Sequence, residues 1–547
     1  MTKIYTAPRD EKAYLSLLQK KLNNKDYIGA LLVTDSISML DSYDKLNLCV
    51  TRAKIYYLMK HYARSAEEWF KYLSLTSNEK LYPRAYNGLG ACFFKMQDGN
   101  VAGYYFNRQI IANKKGVYDY SSVTAEFYEE MLSADKNYYL AYPYEKADFT
   151  QLLSKAEELL RAENYDGALE LIKVIPNNSK FYSSALISSS IAKYFKGDIE
   201  GATNDIEQAV SIDKKAVAVC NAISMFHSIK NQQKVDYYLD ILSKLEVVEE
   251  EDLYKVAMVY AEKGEHLKAV GYAEKYLKIN PYDTTMLLIY GIMNYNLKRF
   301  EKAEESFEKI YKINRSYIAK SYINFVKETS KDNCKPIEYT FDLNVFDRQR
   351  LVKLLSDLIK LSGEEKLERE DEIYNLSSYA FSSTSYQVQS TIITLLGELA
   401  TIKAQSIMKK MLLSLNVYDR VKSGVIGFLV ASKVEGEISA CFGNIFRKIT
   451  LTPLGIENKA FEEAYAYLIA KLAPVEKELL PLKYSAETLY DKAVQKNVNF
   501  DEIDVKSLSA VMYELSTIAK INSRREFIKF FDANASKIKK IKELLKD

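Results

Sequence analysis

Three histidines, His61, His227 and His266, are the side chains of this 547-residue chain whose ordinary pKa lies near neutrality. They stand tens to hundreds of residues apart, so each is expected in a structural or merely exposed role, and no base-and-nucleophile pair is indicated. Cys49, Cys92, Cys220, Cys334 and Cys441 are equally scattered and form no CxxC, which points away from a disulfide framework and from zinc. Acidic runs such as VVEEEDL (247–253) and GEEKLEREDE (363–372) offer carboxylates at many spacings. A glycosidase would need two of them facing each other across a cleft, and nothing selects such a pair from 73 acids. These runs read as solvated helix ends. GxxxxGK[ST], GxSxG, HExxH and EF-hand patterns do not occur, and the GLG at 88–90 follows no strand and precedes no fingerprint glycine. The expectation is a protein without catalytic residues, cofactor or metal.

The elements that carry these residues follow from the bulk composition. Hydrophobic residues make up 48% of the chain, enough for a continuous core, while 19 glycines and 9 prolines are too few for a many-stranded fold. Long helices joined by short turns are expected. The 76 basic and 73 acidic residues nearly cancel, so no overall field would recruit nucleic acid or an anionic membrane. The opening MTKIYTAPRDEK lacks the apolar stretch of a signal peptide, and no run reaches the roughly 18–20 apolar residues that cross a bilayer. A soluble, cytoplasmic protein is expected, and the abundance of Lys, Tyr and Asn suggests an AT-rich bacterial genome.

A period is the strongest signal in the chain. Small residues recur at Ala30, Ser65, Ala102, Ala168, Ala202, Val235, Ala269 and Ala303, with spacings of 35, 37, 66, 34, 33, 34 and 34. Twelve residues before each stands a second, usually small position: Leu18, Ala53, Gly90, Ala156, Ser190, Ile223, Ala257 and Gly291. Four residues after each comes a mostly large apolar one: Thr34, Trp69, Phe106, Ile172, Ile206, Leu239, Ala273 and Phe307. Small residues let two antiparallel helices approach, and the large ones fill the space between successive hairpins.

With AYNGLGACFFKMQDGNVAGYYFNRQI (85–110), LYKVAMVYAEKGEHLKAVGYAEKYLKINP (253–281) and LLIYGIMNYNLKRFEKAEESFEKIYKIN (287–314), the chain resembles tetratricopeptide repeat proteins. The resemblance covers about 11–327, with Gly197 and Gly264 at turns between paired helices and Pro281 after a pair. It implies an all-α fold: an α-α superhelix, or TPR solenoid, over 1–328, with a degenerate repeat or insertion near 111–147 where Pro143 interrupts a helix.

Beyond it, CKPIEYTFDL (334–343) alternates apolar and polar residues, a strand-like pattern. It is expected to be an extended junction over 329–345 that presses Ile337, Tyr339, Phe341 and Leu343 onto one surface. From 346 to 547 helical patterning returns without the period. Val388-Gln389 and Val421-Lys422 each open an apolar helix, 33 residues apart. This resembles HEAT-like repeats, with Gln389 in place of the usual base and Asp419 as the acid. Further helices are expected at 456–473, 485–496, 503–520 and 523–546. The last would be a capping helix whose stretch 522–547 carries eight bases and four acids.

In tetratricopeptide proteins the concave wall is built from the first helix of each pair and grips an extended peptide or a partner helix. The resemblance places Val50, Lys54, Tyr57, Arg84, Asn87 and Phe94 on an early wall suited to a peptide backbone or carboxylate. Tyr254, Met258, Leu288, Ile292 and Tyr295 fall on a later, apolar wall, suited either to a hydrophobic segment or to internal packing. The function implied is a non-enzymatic scaffold or adaptor that binds a protein or peptide. The alternatives are a peptide-sensing regulator whose array changes curvature, and a helical-repeat enzyme or nucleic-acid binder.

Overall fold

The computed structural model describes residues 11–40, 43–114, 149–161, 163–213, 215–329, 334–383, 385–476, 478–498 and 503–544. The insertion expected near 111–147 falls, beyond Lys114, outside them. Contacts group the described residues into two compact units. One draws on Met1–Leu140, Ser316–Ile318 and Val345–Asp547, the other on Ala141–Arg315 and Ala319–Asn344. The grouping thus cuts across chain order.

In the first unit, α1 (Glu11–Asn23) pairs with α2 (Tyr27–Ile37), α3 (Lys45–Leu58) with α4 (Tyr62–Ser74), and α5 (Tyr82–Lys95) with α6 (Gly99–Lys114). In the second, the antiparallel pairs are α7 (Thr150–Arg161) with α8 (Tyr165–Ile172), α9 (Tyr182–Phe195) with α10 (Ile199–Ile212), and α11 (Ala216–Ser228) with α12 (Gln232–Ser243). Then come α13 (Glu250–Glu262) with α14 (His266–Ile279), and α15 (Thr284–Asn296) with α16 (Phe300–Asn314), followed by α17 (Tyr317–Glu328). All-α architecture in antiparallel pairs is what tetratricopeptide-like repeats build.

The period has a direct physical counterpart. All sixteen positions of its two small-residue series are buried, bulky Leu18 and Ile223 included. At Gly291 a side chain has no room, since an added Cβ would lie 2.3 Å from the Phe307 ring. Elsewhere the close approach is fixed by hydroxyls, with Ser65 Oγ donating to Ala53 O at 2.8 Å and Ser190 Oγ to Ala202 O at 2.7 Å.

The turn inside each pair repeats one geometry. Lys25, Lys60, Gln97, Glu163, Gly197, Lys230, Gly264 and Lys298 have φ between 55° and 86°, the left-handed region. In every case the next residue's N–H reaches back five positions to a carbonyl of the first helix, as from Asp26 to Lys21 O at 2.9 Å and from Arg299 to Asn294 O at 2.8 Å. This is the Schellman closure of a helix C-terminus. The same next residue then starts the second helix: the side chains of Asp26, Asp98, Asn164, Asp198 and Asn231 each accept from the N–H three positions on.

The remainder of the first unit comprises α18 (Val345–Lys360), α19 (Gly363–Glu368), α20 (Glu370–Ala380), α21 (Tyr386–Leu399), α22 (Ile402–Met411) and α23 (Asp419–Ala431). A two-stranded antiparallel hairpin follows, β1 (Gly436–Phe442) and β2 (Ile445–Leu451), then α24 (Lys459–Leu472), α25 (Leu480–Gln495), α26 (Val505–Glu514), α27 (Arg524–Phe531) and α28 (Ala535–Leu544). Three expectations need correction. The HEAT-like reading finds no support: α21 and α23 start at the expected places, but a β-hairpin, not a helix, follows α23. Gln389 pins loop segments, and Lys422 pins the first strand of the hairpin. Buried Gln389 donates to Ser383 O and Asn416 O and accepts from the Tyr418 N–H, while Lys422 Nζ donates to Cys441 O at 2.7 Å.

The expected capping helix is broken in two at Asp532, whose φ of 48° closes α27. Its apolar face is nevertheless real, for Phe527, Phe531, Ile538 and Ile541 are buried. The third correction concerns Phe341 in the 334–343 segment, which pairs with no strand among the described residues. The segment is held in the second unit by side chains: Asn296 both accepts from the Ile337 N–H at 2.8 Å and donates to Ile337 O at 2.9 Å, and the Tyr322 hydroxyl donates to Asp342 O. Leu343 is fully buried and Ile337 and Tyr339 half-buried, but Phe341 is 54% exposed and leaves the expected apolar face.

Candidate functional site

The early wall belongs to α3 and α5 in the first unit. Cys49, Ala53, Ala85 and Leu89 are among the buried residues of these helices. Val50 is buried, Lys54 is exposed, and Tyr57, Arg84, Asn87 and Phe94 are half-buried. Tyr57 packs edge-on against Tyr62, the centroids 5.2 Å apart, and burial raises its hydroxyl pKa. Lys54 and Arg84 make no ion pair among the described residues, whereas neighbouring Arg52 pairs with Asp35 and Glu68, and Arg64 with Glu67.

The later wall, in the second unit, is largely closed. Leu288, Ile292 and Tyr295 are buried. Tyr295 is covered by Phe300 and Phe325, with centroids at 5.6 and 5.3 Å, and its hydroxyl meets Thr329 Oγ1 at 3.4 Å. Of the five residues, Tyr254 and Met258 remain half-buried, Tyr254 standing edge-on to Tyr276. Internal packing therefore accounts for most of this wall.

The hairpin packs on the early pairs, with its hydrogen bonds and ring stacking made chiefly to their second helices. Phe446 stacks on Phe70 at 6.3 Å and 12°, and Cys441 joins the core that holds Cys49 and Cys92. Buried Tyr105 is the pin: its hydroxyl donates to Asn444 O at 2.8 Å and accepts from the Phe446 N–H at 2.9 Å. Glu67 Oε1 accepts from the Ser414 hydroxyl and the Leu415 N–H, both at 2.9 Å, and Lys448 Nζ donates to Thr76 O at 3.1 Å.

His61 is the cap residue of α4, His227 is exposed, and His266 Nδ1 lies 2.7 Å from the Tyr339 hydroxyl in a tyrosine contact that anchors the 334–343 segment. Burial lowers the pKa of His266. Cys49, Cys92, Cys220 and Cys441 are buried free thiols, and burial pushes each up to about 12. Among the described residues no group of three or more His, Cys, Asp or Glu could hold a metal ion, and no helix is long and apolar enough to cross a membrane.

No protein-family model and no curated protein matches the chain. Solved structures do. A human IFIT1 dimer with PPP-AAAA aligns over 98% of this chain and 96% of its own at 11% identity and a TM-score of 0.27. Yeast Tom70 aligns over 97% of this chain and 96% of its own at 14% identity and a TM-score of 0.22. A MamA RS-1 double mutant aligns over 31% of this chain and 96% of its own at 18% identity and a TM-score of 0.23.

Proposed function

We propose that the protein is a non-enzymatic scaffold that binds a partner protein through an extended, acidic or carboxylate-ending segment laid on the early wall. The observation that carries this reading is that Lys54 and Arg84 make no ion pair among the described residues and stand on first helices that also carry half-buried Tyr57, Asn87 and Phe94. Nearby Arg52 and Arg64 are neutralised by carboxylates, whereas these two are available for a ligand. Backbone recognition by the amide and stacking on the rings supply the rest of such a grip.

The test is fluorescence anisotropy with the full chain and short labelled acidic peptides, ending either in a free carboxylate or in an amide. The free-acid peptides should bind, and Lys54→Ala or Arg84→Ala should weaken them about tenfold or more, the usual worth of a charge-assisted hydrogen bond. Equal binding by both variants and the parent chain would refute the assignment. Val50 and the later-wall residues Tyr254, Met258, Leu288, Ile292 and Tyr295 should contribute little to this ligand.

A further inference from the structure

The first unit contains a second feature unconnected with the early wall: an open cavity of about 630 Å³ between α21, α23, α24 and α26, closed at one end by Asp532. Its size falls in the range of small-molecule sites, roughly 300–1,000 Å³. The floor is apolar, with Ile393, Val421 and Phe428, and two tyrosines, Tyr386 and Tyr467, stand in the walls. Three cations reach it, Arg420, Lys471 and Lys506, against the single carboxylate of Asp532, which leaves two positive charges unbalanced in the lining.

The cations are arranged on the rings. The Arg420 guanidinium lies 5.4 Å from the Tyr386 centroid, and Lys471 and Lys506 lie 5.4 and 5.9 Å from that of Tyr467. Asp532 is 3.3 Å from Lys471 and 3.9 Å from Lys506, and it also accepts from the Tyr467 hydroxyl. Burial works against its charge, yet the two lysines hold its carboxyl below the usual range. Arg420 has no ion pair among the described residues, and Asp532 is one carboxylate shared by two lysines, so two positive charges in the lining remain unanswered.

A glycine in an unfavourable place lines this space. Gly424 lies within α23, where glycine is less favourable than alanine because it loses more backbone freedom on folding. A Cβ built there would meet no atom within 4 Å, so neither packing nor a left-handed turn requires its absence. A side chain at that position would enter the cavity instead.

We infer that this cavity is a binding site for a small aromatic dianion, a flat apolar ring carrying a phosphate ester or two carboxylates. The ring lies against Phe428 and Ile393, and the doubly negative group meets Arg420 and the lysine pair.

The test is calorimetric titration of the full chain with naphthyl phosphate and with naphthalene dicarboxylate, the two sources of such a dianion, against naphthol and inorganic phosphate. At least one dianion should bind, with naphthol and inorganic phosphate each weaker by about tenfold or more, since each lacks one half of the recognition. Gly424→Leu should abolish binding while leaving the melting temperature equal or higher, and Arg420→Ala, a change at an exposed side chain, should weaken it by about tenfold. Failure of both dianions to bind, or binding indifferent to Gly424→Leu and Arg420→Ala, would overturn the assignment.

Discussion

Replacing Lys298 by glycine should stabilise the protein, although it removes a side chain and adds no contact. Lys298 sits at the left-handed turn position between α15 and α16 with φ of 60°, and it makes no ion pair among the described residues. A side chain in that conformation costs about 1–2 kcal/mol, which glycine does not pay. Glycine also loosens the unfolded chain, returning about 0.4–1 kcal/mol of the gain. The net expectation is a stabilisation of about 0.5–1 kcal/mol, and Lys230→Gly, at φ 58° in a different hairpin, should add a similar amount. The converse change calibrates the reasoning. Gly264 has φ of 75° and a Cβ there would meet nothing within 4 Å, so Gly264→Ala should cost about the same from backbone strain alone. Urea unfolding followed by circular dichroism reads the shift, with an unchanged slope confirming that the extent of unfolding is the same. Hydrogen exchange at the Arg299 amide, bonded to Asn294 O at 2.8 Å, reads the turn itself. A less stable Lys298→Gly protein, or a Gly264→Ala protein of unchanged stability, would show that left-handed strain is not what these turns carry.

Gly291→Ala should destabilise by about 1–3 kcal/mol in urea unfolding, because the new methyl would stand 2.3 Å from fully buried Phe307, itself backed by Tyr322 at 4.9 Å. Tyr105→Phe removes both hydrogen bonds that pin the hairpin and leaves Asn444 O and the Phe446 N–H without that partner; a loss of about 1–3 kcal/mol and faster amide exchange at Phe446 are expected. Stability should also fall at alkaline pH. Burial raises Cys49, Cys92, Cys220 and Cys441 from 9.0 to about 12, and Tyr86 and Tyr290 from 10.0 to about 12. Between those limits the unfolded chain has lost protons that the folded chain still holds, so the slope of stability with pH is negative. Melting temperature should be level below pH 9 and drop steadily from there toward pH 12; a flat profile would contradict the burial of these groups.

The repeat was legible because its constraint acts on side-chain size. Two antiparallel helices approach most closely where both carry little bulk, and a change of size shows in the sequence as a change of letter. The turns were legible only at Gly197 and Gly264, where the residue itself announces a positive φ. At the other six turns the same geometry is carried by Lys, Gln or Glu, and the Schellman hydrogen bonds that compensate it are made by the backbone, which leaves no mark on residue type. The walls illustrate the complementary limit. Helical spacing assigns Tyr295 and Lys54 to the same kind of face with equal force. Only tertiary packing decides that Phe300 and Phe325 bury the first while the second stays in water.

The strand signals show how one rule misleads when read without its partner rule. CKPIEYTFDL alternates better than any other stretch, yet a strand needs a second strand beside it to satisfy its backbone, and no turn or matching segment adjoins it. Its backbone is met instead by Asn296 and Tyr322, and Phe341 is free to face solvent. The true hairpin, GEISACFGNIFRKITL (436–451), alternates less cleanly because Ala440, Cys441 and Phe442 are buried in succession. Its signal lies in Gly443-Asn444, a two-residue turn with φ of 54° and 63°, the geometry that sets right-twisted strands in register. That pairing puts Phe446 opposite Cys441, so the strand that stacks on Phe70 is backed by the residue that enters the early core. A turn dipeptide flanked by apolar runs is therefore stronger grounds for strands than alternation alone, since it specifies the partner as well as the face.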